Sequence, residues 1–125
     1  CVAMAKQFAD RTHFVHLRSC YIFPNGNFTE ASHLGGRGHL IELCRIFEKA
    51  EQEGKCNSGR RLPMRVDHGM TFTDEPGGVF DESNHGHNAG YTLLGRMFAM
   101  GQIQGVIATV DDELGIEYKQ PGFYD

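Results

Sequence analysis

Phe14-Val15-His16-Leu17-Arg18 and Met64-Arg65-Val66-Asp67-His68-Gly69 are the two stretches of sequence that decide the fold of this chain. Each is a short apolar run that ends in polar groups able to bind a metal or move a proton. Such a run is typical of a buried strand whose last residues project into a cleft, where a divalent cation and a polar substrate can be held. We therefore expect the chemistry to lie at the strand ends.

The residues around these two runs have the patterns of turns and helices. Strands are predicted at 12–17 and 62–66, and residues 2–8 have the pattern of the end of a helix. Between Leu40 and Gly54, apolar residues recur at helical spacing, which predicts an amphipathic helix that stops at the glycine.

Long loops are predicted after each strand. Glycine and asparagine punctuate residues 18–38, so this segment is expected to be mostly irregular. After the second long loop, a helix is predicted from about residue 91 to 100, followed by a further helical stretch at 103–108.

The order of strand, long loop and helix occurs twice, which favours a parallel α/β barrel. A complete barrel needs eight strands and usually about 250 residues, whereas this chain has 125 residues. Residues 1–125 are therefore expected to be one piece of a single TIM-type (β/α)8 barrel domain, its C-terminal part, and Cys1 in place of an initiator Met agrees with a cut chain. An open doubly wound sheet would need a Gly-rich phosphate fingerprint, which neither strand carries.

Composition excludes several classes of protein. The net charge of -4 and a single basic doublet, Arg60-Arg61, exclude a nucleic-acid partner. The sequence has no signal-peptide pattern, and no apolar stretch near the roughly twenty residues that span a bilayer is evident, so no membrane partner and a cytoplasmic location are expected. The four cysteines lack C-x-x-C spacing, which predicts reduced thiols, with Cys44 as a small buried apolar residue.

Four motifs in series resemble the C-terminal part of the mannonate dehydratase family. They are the 14–18 run, Phe28-Thr29-Glu30-Ala31-Ser32-His33-Leu34, the 65–69 run and Gly90-Tyr91-Thr92-Leu93-Leu94-Gly95-Arg96. The resemblance implies a lyase with a xylose-isomerase-like barrel. Such an enzyme removes water from D-mannonate, a sugar acid, to give 2-dehydro-3-deoxy-D-gluconate in hexuronate (glucuronate) breakdown, and it uses Mn²⁺ or Fe²⁺.

The resemblance also implies roles for single residues. His16 and Asp67 match two metal ligands of a set of two histidines, a cysteine and an aspartate, and the other two would lie upstream of Cys1. Loss of water next to a carboxylate needs a proton removed and a hydroxyl protonated, and His68 and Tyr91 are the predicted proton-handling groups. Which of the two is the acid and which the base stays open.

Substrate contacts are predicted for three further residues. Arg18 lies two residues beyond His16, on the same face of the strand, and could hold the substrate carboxylate with a forked pair of hydrogen bonds. Glu30 and His33 are three residues apart, and either bind substrate hydroxyls or brace the loop. The H-x-H pair His85 and His87 is interpreted as part of an insertion rather than as metal ligands.

The departures from the family pattern leave alternatives open. Val66 stands where proline is common, Met70 stands where a polar residue often follows the glycine, and the 70–88 loop is longer than usual, so a related sugar acid stays possible as substrate. The alternatives are another divalent-metal sugar isomerase or epimerase of the same barrel type, and a non-catalytic fragment. The oligomeric state is open too, a homo-oligomer included.

Overall fold

The computed structural model of the protein describes residues 1–70 and 93–117. These residues form a small set of helices and short strands joined by turns. In chain order they are α1 (Val2–Phe8), β1 (Val15–Leu17), β2 (Cys20–Ile22), β3 (Phe28–Glu30), α2 (Leu40–Gln52), β4 (Met64–Val66) and α3 (Leu93–Leu114), with 3-10 turns at Ala9–Arg11 and Asn57–Gly59.

β1 and β4 lie side by side as a parallel pair, with His16 opposite Arg65. The backbone N–H of Asp67 donates to the carbonyl of Leu17 at 3.0 Å, so the pairing continues past the ends of both strands. Parallel neighbours need a crossover between them, which α2 and the hairpin before it supply. The structure confirms the predicted α/β class. The two strands predicted from the apolar runs are present as β1 and β4, and they pair in parallel.

The core lies between the parallel strands and the helices that cover them. α2 turns one apolar face inward, as its sequence period predicts, and Cys44 on that face is fully buried. Burial raises the pKa of the Cys44 thiol to about 12, so this cysteine behaves as a small apolar residue. The core residues are Ala5, Ala9, Val15, Leu17, Leu40, Cys44, Phe47, Ala50, Cys56, Leu62, Val66, Ala99, Ile103, Val106 and Val110.

The segment 18–38 is more regular than the sequence indicates, because β2 and β3 pair as an antiparallel hairpin. Its turn is closed by the N–H of Phe23, which donates to the carbonyl of Asn27 at 2.8 Å, and Gly26 has a φ of +88°, a value that glycine adopts at little cost. The rest of the segment is irregular as predicted, so the prediction missed only the hairpin. An Asn-Gly pair between β-forming residues is a hairpin signal as well as a loop signal.

The last helix also differs from the prediction of two stretches, because α3 is one continuous helix of 22 residues. Gly101 does not interrupt it, since a helical glycine costs only about 1 kcal/mol relative to alanine, and packing against α2 and β4 outweighs this. By length and composition α3 is also apolar enough to cross a membrane, which corrects the expectation that the chain has no such stretch. The core helix of a soluble protein meets the same criterion, and 28% of that stretch is buried in this structure.

Candidate active site at the strand ends

The site forms where β1 and β4 end together. Val15 and Leu17 of β1 are buried and His16 between them is exposed, because successive side chains of a strand point to opposite faces. Arg18 follows β1 directly, while Asp67 and His68 follow β4. Parallel strands end at one edge of their sheet, so these side chains come together from two distant parts of the chain.

Gly69 brings the helix α3 close to this edge. A Cβ atom at residue 69 would lie 2.5 Å from the backbone carbonyl oxygen of Gly95, so only a residue without a side chain fits here. The contact fixes the chain directly after Asp67 and His68 against the first turn of α3. The two polar side chains are therefore held on a backbone that is packed on both sides.

His16 and Asp67 form the pair predicted as metal ligands. Nδ1 of His16 lies 3.5 Å from Oδ1 of Asp67. Two ligand atoms that are each about 2.1 Å from one metal ion lie about 3.0 Å apart at an octahedral angle and about 3.4 Å apart at a tetrahedral angle, so both atoms are close enough to reach one divalent cation after a small shift. Imidazole nitrogen and carboxylate oxygen both suit Mn²⁺ or Fe²⁺. Among residues 1–70 and 93–117 no group of three such ligands occurs, so two ligands are what this part of the chain offers.

Arg18 is engaged by the carboxylate of Glu30, the last residue of β3. Nε of Arg18 lies 3.1 and 3.2 Å from the two oxygens of Glu30, and Nη2 of Arg18 also donates to Glu30. This hydrogen bonding raises the pKa of the guanidinium above its ordinary value. The two donors of Nη1 lie outside this pair, so Arg18 can hold a substrate carboxylate while it stays bound to Glu30.

His68 lies between two carboxylates. Its Nδ1 is 3.4 Å from Oε1 of Glu30, and its Nε2 is 3.9 Å from Oδ2 of Asp67. The side chain is 20% exposed, so the ring is supported by the protein yet reachable from solvent. An imidazole in this position can exchange a proton with a bound substrate.

His33 lies inside the protein, with only 2% of its surface exposed. Its ring nitrogen Nε2 lies 2.9 Å from the carbonyl of Leu17, and its backbone N–H donates to Oε1 of Gln102 at 2.9 Å. Because a carbonyl only accepts, Nε2 carries the proton in this contact. These contacts favour bracing of the loop over contact with substrate for His33.

Some predicted residues lie outside the described part of the chain. Tyr91, the second predicted proton-handling residue, is one of them, as are His85 and His87 and nearly all of the long 70–88 loop. The structure therefore brings together His16, Arg18, Glu30, Asp67 and His68 from the predicted set, and sets His33 behind them.

A cluster that the sequence did not reveal lies between α2 and α3. Desolvation and the neighbouring carboxylate of Asp111 raise the pKa of Glu48 to about 7. Asp111 is 5% exposed, and burial raises the pKa of its own carboxyl while the hydrogen bond with Glu48 lowers it. Below about pH 7 the pair therefore holds a proton that resides mainly on Glu48. Each residue alone has the sequence context of an exposed helical acid, so no local signal marked the pair.

Comparison with known proteins gives one consistent result. The sequence model of the family described as D-mannonate dehydratase (UxuA) matches residues 1–116. Among curated relatives, mannonate dehydratase 2 of Agrobacterium fabrum is 36% identical over 115 residues, which are 90% of this chain and 27% of that protein.

Other relatives carry the same description. The mannonate dehydratase of Saccharophagus degradans is 34% identical over 112 residues, 88% of this chain and 27% of the relative. That of Brucella canis is 32% identical over 110 residues, 87% of this chain and 25% of the relative. The chain thus spans about a quarter of the length of these curated relatives.

Proposed function

Because the chain belongs to the D-mannonate dehydratase family, we propose that it is the C-terminal part of a hydro-lyase that dehydrates D-mannonate to 2-dehydro-3-deoxy-D-gluconate. The observation that carries this proposal is the convergence of His16, Asp67, His68 and Arg18 at the ends of two parallel strands. Such an edge is where barrel enzymes place their catalytic groups.

The wider fold we propose is a closed (β/α)8 barrel of the xylose-isomerase type. Two grooves support it. One, of about 390 Å³, runs along β4 beneath α3 and is lined by residues 62–66, which are that strand and the two residues before it. The other, of about 350 Å³, runs along β1, the parallel neighbour of β4, and lies beside α1. Each groove lies where a barrel would place the next parallel strand, and within the described residues the sheet holds only β1 and β4.

The exposed apolar surface of α3 supports the same fold. Side chains in its first half lie open to solvent although they are apolar, and a complete barrel with its outer ring of helices would cover them. They are Leu93 (71% exposed), Leu94 (56%), Met97 (60%), Phe98 (41%) and Met100 (45%).

We propose that His16 and Asp67 hold Mn²⁺ or Fe²⁺ together with ligands from the remainder of the protein. A divalent cation bound there supplies Lewis-acid stabilisation of the negative charge that develops when the proton next to the substrate carboxylate is removed. The carboxylate itself binds Nη1 of Arg18, which orients the substrate above the strand ends.

Two side chains of this chain move protons in the proposed reaction. His68 exchanges a proton with the substrate, and Tyr91 is proposed to serve the other proton transfer. The bond that breaks joins the leaving hydroxyl to the carbon adjacent to the deprotonated carbon. The hydroxyl leaves as water once it is protonated. Glu30 supports this set through Arg18 and His68 rather than through the metal.

The test is product analysis with the complete polypeptide that contains this chain. Incubation with D-mannonate and Mn²⁺ should give a product lighter than the substrate by one water, as measured by mass spectrometry. A product of unchanged mass would show an isomerase or epimerase of the same barrel type. No conversion of any sugar acid, with the metal bound, would contradict the assignment of a lyase.

A further inference from the structure

Glu30 contacts both Arg18, which would hold the substrate carboxylate, and His68, which would move a proton. Its carboxylate lies 3.1 and 3.2 Å from Nε of Arg18 and 3.4 Å from Nδ1 of His68. The Glu30 side chain is only 6% exposed, against 36% for Arg18 and 20% for His68. A carboxylate this buried is stable when charged partners and hydrogen bonds surround it, and Arg18 and His68 are those partners.

The β2–β3 hairpin holds Glu30 in place. Glu30 is the last residue of β3 and lies opposite Cys20 in the antiparallel pair. The next residue, Ala31, donates its backbone N–H to the carbonyl of Ser19 at 3.0 Å. Hydrogen-bonded backbone therefore holds Glu30 on both sides. A residue that orients another side chain requires such support.

The two ring nitrogens of His68 face different partners. Both carboxylates only accept hydrogen bonds when ionised, but Glu30 is the nearer, at 3.4 Å against 3.9 Å for Asp67, so the proton of a neutral His68 ring is favoured on Nδ1, the nitrogen that faces Glu30. Nε2 then lies on the side of Asp67, at 3.9 Å, toward the proposed metal and substrate. A nitrogen–oxygen distance of 3.4 Å is long for a hydrogen bond, and contacts of catalytic groups are commonly long before substrate binds.

We propose that Glu30 is a positioning residue, which orients His68 and fixes the ring nitrogen that it presents to substrate. Glu30 acts through His68 and Arg18 and does not touch the substrate itself. This inference rests on the proposed function, because it takes His68 as the residue that exchanges a proton with the substrate.

The experiment is a double-mutant cycle in the complete polypeptide, with kcat and KM for D-mannonate measured for each variant. Glu30→Gln should lower kcat by about 10- to 100-fold, as loss of a residue that orients a functional histidine typically does. His68→Asn should lower kcat further, and adding Glu30→Gln to it should cause little additional loss. Equal losses of kcat in both backgrounds, or an unchanged kcat in Glu30→Gln, would overturn the proposal.

Glu113→Gln is the matched control. Glu113 is also bound by an arginine through two contacts, with Nε of Arg45 at 2.7 Å and Nη2 at 3.0 Å, but this pair joins α2 to α3. Removing its charge should leave kcat and KM near the wild-type values. A loss of kcat like that of Glu30→Gln would show that breaking any such ion pair slows the enzyme through the fold.

A second measurement separates this inference from the proposed function. Imidazole ¹⁵N NMR of the metal-free complete protein, with labelled histidine and His68→Asn for assignment, reports which nitrogen of His68 carries the proton. The wild-type ring should carry it on Nδ1, and Glu30→Gln should give a mixture of both forms. The same form in both proteins would overturn the role of Glu30, whether or not D-mannonate is the substrate.

Discussion

Replacing Glu48 by glutamine should remove much of the pH dependence of the protein's stability. In the folded protein Glu48 shares a proton with the buried Asp111, and burial together with that neighbour raises its pKa to about 7 from an ordinary value of 4.5. Glu51 adds to the upward shift and Arg61 opposes it. Between these two pH values the folded state binds more protons than the unfolded state, so the free energy of unfolding falls as the pH rises.

The size of the effect follows from the two pKa values. A group with a pKa of about 7 in the folded state and 4.5 in the unfolded state contributes stability that is complete below pH 4.5 and lost above pH 7. Integration of the proton linkage gives a loss of about 2.5 kcal/mol between about pH 5 and about pH 8. Glutamine can donate to Asp111 as the protonated acid does, yet it does not ionise, so the variant should lack this loss.

The assay is urea unfolding followed by circular dichroism at several pH values between about 5 and 8. The difference in unfolding free energy between Glu48→Gln and wild type should grow by about 2.5 kcal/mol over this range. Glu42→Gln is the control, because Glu42 is a half-buried acid on the same helix, paired with Lys6 at 3.0 Å. Parallel pH curves for wild type and Glu48→Gln would refute the shared proton.

Three further predictions concern the strand ends. Gly69→Ala should destabilise the protein by about 1–3 kcal/mol in urea unfolding, because the added Cβ would lie 2.5 Å from backbone. Gly101→Ala is the control and should be neutral or stabilising, because its Cβ would meet nothing within 4 Å. Arg18→Lys should raise KM by about 10-fold or more with a smaller effect on kcat, since lysine cannot bind Glu30 and a carboxylate as a fork; an unchanged KM would remove Arg18 from the substrate site. His33→Leu should cost about 0.5–1.5 kcal/mol of unfolding free energy by removing one of the two donors to the carbonyl of Leu17, the other being the backbone N–H of Asp67, and an unaltered unfolding curve would contradict the bracing role.

The sequence predicts those elements whose periodicity is strong. The helical spacing after Leu40 predicts α2, and the short apolar runs predict β1 and β4. The hairpin β2–β3 was not predicted because the asparagine and glycine of its turn are loop signals as well as hairpin signals. The continuity of α3 across Gly101 was not predicted, because packing outweighs the low helix propensity of one glycine.

The site was predicted to the extent that it depends on strand ends. A residue that follows a parallel strand lies at a known edge of the sheet, so the meeting of His16 with Asp67 follows from topology. The contacts of Glu30 with Arg18 and His68 depend on how the hairpin folds back over that edge. No local sequence pattern predicts how the hairpin folds back. The sequence therefore predicts Glu30 at the site but not its contacts with Arg18 and His68.

The metal content of the complete polypeptide tests the central claim most directly. After purification with Mn²⁺ and removal of free ions, elemental analysis of wild type and Asp67→Ala compares the bound metal. We expect a full equivalent in the wild type and a marked loss in Asp67→Ala, with His68→Asn retaining its metal as the control. A full equivalent of metal in Asp67→Ala would contradict a metal site built from His16 and Asp67.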